Sequence, residues 1–246
     1  MGMVSSMINE KILLIIPAYN EEACILKTYE SIKNYNKKNK LKYDVIVIND
    51  GSTDNTELIL NDNDIPHISL IHNLGIGGAV QTGYKYAYEN NYDIAVQFDG
   101  DGQHDINYVI DIIKPISEKK CDFTIGSRYI DKTKSKFQST KARQFGISII
   151  SKVIKLVTGK KVLDTTSGFR ACNRKIIKEF SNYYPLEYPE PVTTTELLKK
   201  GYKHKEIPVS MNERAGGKSS IKSLKNAYYM FNVCLSIFIV GLRRYK

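Results

Sequence analysis

Two aspartates stand one residue apart in the stretch VQFDGDGQHD (96–105), with glycines at 100 and 102 and then Gln103 and His104. Neighbouring carboxylates repel unless a cation neutralises them. Mg2+ and Mn2+ take oxygen ligands, and Mg2+ is commonly held by one or two carboxylates plus substrate phosphates. Asp99 and Asp101 supply such oxygens and Gln103 adds a neutral one. His104 is expected beside the metal rather than on it, because hard cations favour oxygen. Gly100 and Gly102 allow unusual backbone and let a bulky anion come close. The chemistry this pattern suits is a divalent cation, Mg2+ or Mn2+, gripping a phosphorylated partner.

Other residues could hold the rest of that partner. Arg128, Arg143, Arg170 and Arg214 carry planar forks that match phosphate oxygens. The run RAGGKSS (214–220) offers backbone N–H groups, hydroxyls and two cations, including Lys218 and Ser219. It is not a Walker loop, since it lacks that spacing and a strand before it. HNLGIGG (72–78) lacks the GxGxxG spacing because position 80 is Val, which argues against a nicotinamide fold.

The elements that must position these groups alternate along the first half. Apolar or β-branched runs at 12–17, 44–49, 67–71, 93–98 and 121–125 read as strands. Helical stretches fall near 22–35, 54–61, 77–90 and 106–118. This alternation predicts an α/β fold: a Rossmann-like, mainly parallel sheet with helices on both faces. Ligands bind such sheets at the carboxyl ends of the strands. PAYNEE (17–22), NDGSTDNT (49–56) and DGDGQH (99–104) all fall there. Further on, a polar stretch at 128–140 precedes a helix over 141–158, SGFR (167–170), YPEP (188–191) and a strand near 203–210.

PAYNEE, NDGSTDNT, NLGIGGAV, DGDGQH, GSR (126–128) and DTTSGFR (164–170), in this order, resemble the inverting GT-A glycosyltransferases of family 2, in the subgroup similar to dolichol-phosphate mannose and glucose synthases. The resemblance spans roughly 11–180. Residues 188–220 are more loosely similar to a bacterial and archaeal branch involved in surface glycans. It implies a GT-A domain over 1–220, with a donor-binding half at about 11–127 and an acceptor-binding half at about 128–220. It further implies a nucleotide-diphosphate sugar donor, UDP- or GDP-linked, and a polyprenyl-phosphate or lipid-linked glycan acceptor. Pro17, Ala18, Tyr19 and Glu21 would line the nucleoside pocket, with Tyr19 against the base. Asp50 would accept a hydrogen bond from the base, and Gly51, Gly77 and Gly100 would complete the nucleotide-sugar site. Asp99 would sit near ribose and metal; Asp101 and Gln103 would hold the metal on the diphosphate. Arg128 and Arg214 would meet donor or acceptor phosphates, joined on the acceptor side by Arg143, Ser167, Arg170, Lys218 and Ser219. Two departures stand out: Asn49, where the family has Asp, and Ile147, where it often has Ser. A phosphate acceptor needs no strong base, whereas a sugar hydroxyl needs one. Glu187, Glu190 and Glu196 could serve, and Glu190 is favoured because Pro189 and Pro191 fix its backbone. The same residue could instead be a solvated acid in a proline-stiffened loop.

Composition narrows the rest. The formal net charge is +10, and from Lys199 onward eleven Lys/Arg face two acids. A basic tail points to an anionic membrane, nucleic acid or polyphosphate. Nucleic acid is disfavoured, because these cations flank an apolar segment rather than exposed aromatics. The four cysteines lack zinc-site or disulfide spacing. The segment 227–242 is nearly all apolar, yet would span only about 24 Å as a helix, short of the roughly 30 Å hydrocarbon core. Lys225, Tyr229, Asn232, Ser236 and Arg243 fall on one stripe of it. The segment 221–246 is therefore expected to be an amphipathic membrane-interface helix, holding the protein peripherally on the cytoplasmic, inner face of the cell membrane. The competing use of this helix is packing on the domain or on a second copy in a homo-oligomer. A nucleotidyltransferase acting on a sugar phosphate with Mg2+ is the other activity that pairs acids on such a sheet. It would need a basic glycine-rich loop after the first strand, and PAYNEE has none.

Overall fold

A computed structural model describes residues 10–131, 141–211 and 223–245, with side chains of 143–211 and 230–245 in the last two stretches. In chain order the elements are β1 (Ile12–Ala18), α1 (Ile25–Asn39), β2 (Tyr43–Asn49), α2 (Thr56–Asp62), β3 (His67–Ser69), α3 (Gly75–Glu89) and β4 (Ile94–Gln97). There follow a 3-10 turn (Ile106–Tyr108), α4 (Val109–Ser117), β5 (Phe123–Ser127), α5 (Lys141–Thr158), β6 (Arg170–Asn173), α6 (Arg174–Asn182), α7 (Pro189–Lys199), β7 (His204–Pro208) and α8 (Ser223–Leu242).

The seven strands lie in the order β3-β2-β1-β4-β6-β5-β7. All pairings are parallel except those of β6, which is antiparallel to both β4 and β5. β1 reads as a continuous apolar run because both its faces are covered. Leu14 and Ile16 pack with Ile25 and Ile32 of α1 and with Ile112 of α4. Leu13 and Ile15 pack on the other face with Val80 of α3, Ile176 of α6 and Ile150 of α5. α3 approaches β1 closely through Gly83, where a Cβ would sit 2.2 Å from Ile15 Cγ2.

Two expectations change. YPEP is not a loop: Pro189 opens α7 and Glu190 lies in its first turn. Proline suits that position, where its missing N–H has no helical partner anyway. The segment near the C-terminus does form a helix, but its polar stripe does not organise it. Val233, Ile237 and Val240 are buried as α8 packs on α5 and α7. Gly241 lets α8 close on Val157 of α5. Phe231, Leu235, Phe238, Ile239 and Leu242 are exposed on the opposite side, at intervals that make one stripe. Asn232 and Ser236 are intermediate in burial. Two apolar faces, rather than one apolar and one polar, define this helix, and the side chains of Lys225 and Tyr229 lie outside the described residues. Among the described residues no helix is long and apolar enough to cross a membrane.

Candidate active site

The parallel strands β1, β2 and β4 bring their carboxyl ends to one edge, and β4 delivers the paired aspartates there. Phe98 N–H still bonds Ile15 O at 2.9 Å, so the chain leaves the sheet at Asp99. The turn is then pinned. Thr28 of α1 donates its hydroxyl to Gly100 O at 3.1 Å. Gly102 takes φ +77, which only glycine adopts without strain. Gln103 N–H donates to Asp101 Oδ1 at 2.9 Å, and Asp101 is 2% exposed. Asp99 keeps a side chain 31% exposed.

His104 is fixed just beneath. Asp99 N–H donates to its Nδ1 at 2.9 Å, and its Nε2 lies 3.3 Å from Asp99 Oδ2. That arrangement sets the tautomer with the proton on Nε2. The ring stacks on Phe169 at 4.5 Å and 16° and meets Phe98 edge-on. Burial, outweighing the nearby Asp101, pushes its pKa down to about 3. A neutral His104 with both nitrogens engaged orients Asp99 and leaves only oxygens to face a cation. Among the described residues no three His, Cys, Asp or Glu side chains are arranged to hold a metal ion by themselves. An oxygen donor pair needing completion by a substrate suits Mg2+ or Mn2+ and does not suit a structural zinc.

Beside this turn, at the ends of β1 and β2, two loops zip together. Asn20 N–H donates to Ser52 Oγ and Asn20 Oδ1 accepts from Thr53 N–H. Glu21 N–H donates to Thr56 Oγ1, and Glu22 Oε2 accepts from Asn55 N–H. Tyr19 stands 47% exposed on this rim. Asp50 is buried, and its Oδ1 accepts Leu74 N–H at 2.7 Å. Burial raises its pKa, against the pull of the Leu74 and Gly75 amides. Asp50 therefore anchors the start of α3, a role that spacing alone did not suggest. Asn49 uses its amide both ways, donating to Ser69 Oγ and accepting from Ser52 N–H. Gly51 has φ +64, and a Cβ there would lie 2.8 Å from Asn73 N.

On the other side of β4, the 164–170 segment closes in. Gly168 is pressed against the site: a Cβ would meet Gln97 Nε2 at 3.0 Å and the Asp99 carboxylate at 3.1 and 3.2 Å. Arg128 is buried, with Nε and Nη2 each 2.8 Å from the Asp164 carboxylate. Glu206 on β7 in turn accepts the N–H groups of Leu163 and Asp164, each at 2.8 Å. Burial lowers the Arg128 pKa, but the Asp164 carboxylate outweighs it and the net shift is upward. Two of the guanidinium nitrogens that were expected on phosphate are thus committed to Asp164. Arg170 is also buried; Nε donates to Ser167 O, and Nη1 to Glu190 O and Thr193 Oγ1. Glu190 hydrogen-bonds the Gln97 side chain and feels both Arg170 and Asp99.

So Asp99, the pair Ser167 and Arg170, and Glu190, from three separate stretches of the chain, meet around one turn. At Gly77 a Cβ would collide with Pro185 O at 2.2 Å, so this glycine packs α3 against 185–186. Arg143 is exposed on α5. Arg214, Lys218 and Ser219 lie outside the described residues. Asp164, Glu206 and Gln97 went unnoticed in the sequence. Asp164 lies in DTTSGFR, one of the stretches that carry the family resemblance, but nothing there marks Arg128 as its partner.

The model of glycosyl transferase family 2 matches residues 13–181. The chain belongs to that family. It is 33% identical over 226 residues, covering 82% of this chain and 86% of the relative, to a UDP-N-acetylglucosamine–dolichyl-phosphate N-acetylglucosaminyltransferase of Methanococcus voltae. It is 25% identical over 222 residues, 86% of this chain and 87% of the relative, to an undecaprenyl-phosphate mannosyltransferase of Micrococcus luteus. The fold matches glucosyl-3-phosphoglycerate synthase of Mycobacterium tuberculosis, solved with Mn2+ and UDP-glucose, with a TM-score of 0.70 at 17% identity over 100% of this chain and 84% of that one. This family 2 glycosyltransferase carries Asp99–His104 and 164–170 inside the matched segment, whereas Glu190 lies beyond it.

The position of Glu190 has a consequence for stability. Burial raises its pKa, more than Arg170 lowers it. A carboxyl raised in the folded state favours folding below its unfolded pKa and costs stability as pH climbs through the folded value. Glu190→Gln is therefore expected to raise the melting temperature at pH 8 and leave it unchanged at pH 4. Melting curves at the two pH values check this.

Proposed function

We propose that this chain transfers a sugar, with inversion, from a UDP- or GDP-sugar to a polyprenyl-phosphate or lipid-linked glycan acceptor. The observation that carries the reading is the pair of pinned, oxygen-only carboxylates at the carboxyl end of β4, with the zipped loops at 19–22 and 52–56 on one side and Ser167, Arg170 and Glu190 on the other. The names of the Methanococcus and Micrococcus relatives support the lipid-phosphate acceptor, and the Mn2+–UDP-glucose complex of the fold neighbour supports the donor class.

Asp99 and Asp101 would hold Mg2+ or Mn2+, with Gln103 beside them. When bound, the ion offsets charge developing on the departing diphosphate. The protein's own part is orientation. His104 and the Gln103 amide fix the two carboxylates before substrate arrives, so little reorganisation is left for the reaction. Tyr19 and the rim at 19–22 and 50–56 receive the nucleoside. Arg128, through its lock on Asp164, holds the end of β5 against 164–166, and Arg170 holds the first turn of α7. Glu190 then faces the acceptor side. It serves as base if the acceptor is a sugar hydroxyl, and its raised pKa keeps it compatible with a phosphate acceptor, which needs no base. The halves at about 11–127 and 128–220 follow this division into donor and acceptor sides. Thermal shift with UDP or GDP plus Mn2+ or Mg2+ tests the reading. Stabilisation by several degrees with one nucleotide–metal pair is expected, and none with any pair overturns it.

A lipid acceptor requires a membrane-facing surface, and α8 supplies one on the cytoplasmic face of the membrane. Its exposed stripe of Phe231, Leu235, Phe238 and Leu242 ends at exposed Arg243 and Arg244, an apolar-plus-cationic pattern that suits an anionic interface. Removing α8 would also uncover the surface under Val233 and Ile237, so the clean test changes only the outer face. Leu235→Ser with Phe238→Ser is expected to cut flotation with phosphatidylglycerol liposomes at least tenfold while leaving the melting temperature unchanged. Flotation equal to the parent would reject the attachment.

A further inference from the structure

β7 ends the sheet and pairs with β5. Its side chains alternate between the two faces. Ile207 joins the core under α4, so His204 and Glu206 point to the other face, where α5 lies. Their register partners on β5, Phe123 and Ile125, are part of the core on that face. A carboxylate drawn toward a core needs partners, and Glu206 takes them from the backbone. Its two oxygens accept the N–H groups of Leu163 and Asp164, each at 2.8 Å. Successive amides converging on one anion form a backbone nest. Two more side chains tie the same stretch. His204 hydrogen-bonds the Lys161 backbone, and Ser151 of α5 donates its hydroxyl to Val162 O. Residues 161–164 are thus clamped one by one beside β7.

The clamped stretch leads straight into the site. Asp164 takes three hydrogen bonds from Arg128: the backbone N–H at 3.1 Å, and Nε and Nη2 at 2.8 Å. Thr166 Oγ1 accepts from Arg128 Nη2 at 3.3 Å, and Ser167 O accepts from Arg170 Nε at 3.1 Å. At Gly168 a Cβ would lie 3.1 Å from the Asp99 carboxylate, so the segment has no slack against the aspartate turn. Asp99 and Asp101 have anchors of their own, in His104 and the Gln103 N–H. Loosening 163–164 would therefore leave the two carboxylates in place and move Arg128 and Arg170 relative to them. A displacement of about 1 Å, caused far from the chemistry, can cost a rate about a hundredfold. Resting on the function proposed above, we infer that Glu206 is a positioning residue for sugar transfer. From the outer edge of the sheet it sets where Arg128 and the 164–170 segment stand against Asp99.

Glu206→Gln keeps the volume and one accepting oxygen but turns an NH2 group toward the second amide. Lys205→Gln, at an exposed position on the opposite face of the same strand, is the control. Well below its melting temperature, Glu206→Gln is expected to lower kcat about tenfold. Its donor KM, and its calorimetric affinity for UDP or GDP with Mn2+, should equal those of the parent. Amide hydrogen exchange should quicken across 163–168 and stay unchanged in β5. Lys205→Gln should match the parent throughout. A parent-like kcat in Glu206→Gln overturns the inference, as does an equal loss in Lys205→Gln. So does a loss of kcat confined to temperatures at which the variant has begun to melt, which would mark Glu206 as structural only. Weakened binding of nucleotide and Mn2+ also overturns it, since the aspartate turn itself would then have moved. If the parent transfers no sugar, the proposed function fails. The exchange measurement still judges the clamp in that case, and unchanged exchange at 163–168 overturns it.

Discussion

Replacing Asp101 by asparagine is expected to lower sugar transfer by about two to three orders of magnitude, the scale lost with one preorganised electrostatic group. The substitution isolates charge from shape. Asparagine keeps an Oδ1 to accept Gln103 N–H, the bond that Asp101 makes at 2.9 Å, so the turn is retained. With Asp101 only 2% exposed, a variant that lost the turn would betray itself by a lower melting temperature. The expected result is a parent-like melt without nucleotide, loss of the extra stabilisation given by nucleotide plus Mn2+, and loss of transfer. Steady-state transfer assays with paired melting curves check all three. Full activity in Asp101→Asn would remove this carboxylate from the metal assignment.

Asp164→Asn is expected to be the most destabilising single change at the site. Asp164 is fully buried and holds Arg128, itself 7% exposed, through two bonds of 2.8 Å. Removing one charge of a buried pair leaves the other uncompensated, a loss of about 3–5 kcal/mol. For a chain of this size that corresponds to a drop of about 10 °C in melting temperature. Replacing both partners, Arg128→Met with Asp164→Leu, should recover much of the loss, because no lone charge remains. Urea and thermal unfolding of the three variants check this. A single variant melting within about 2 °C of the parent would show that Arg128 finds its main partner elsewhere, as a phosphate-binding role would require.

The sheet core was legible because its strands announce themselves: β1 is an unbroken apolar run, and α5 spans 141–158 as its apolar spacing implies. β6 was not legible, since four residues, RACN, are too few to show a period. Yet this short antiparallel strand brings Arg170 beside Gln97. The prolines of YPEP suggested a stiff loop because they fix the backbone, and proline's fitness for the first turn of a helix decided the matter. In the site, Asp99 and Asp101 could be read directly, as their chemistry depends on being neighbours in sequence. The Arg128–Asp164 lock joins residues 36 apart, and Gln97 hides inside an apolar strand. Gly77 carries a demand that its sequence setting does not show: a Cβ there would meet Pro185 O at 2.2 Å, so backbone packing alone calls for glycine.

One reaction decides the acceptor. Incubating the protein with Mn2+, a short-chain polyprenyl phosphate and sugar-labelled UDP-glucose, UDP-N-acetylglucosamine or GDP-mannose, then extracting into organic solvent, measures it directly. The predicted result is label in the lipid phase from one of these donors, dependent on the metal and lost in Asp101→Asn. Binding of nucleotide and metal without label in lipid, and with label instead on an added soluble sugar phosphate, would contradict the assigned acceptor and with it the central claim.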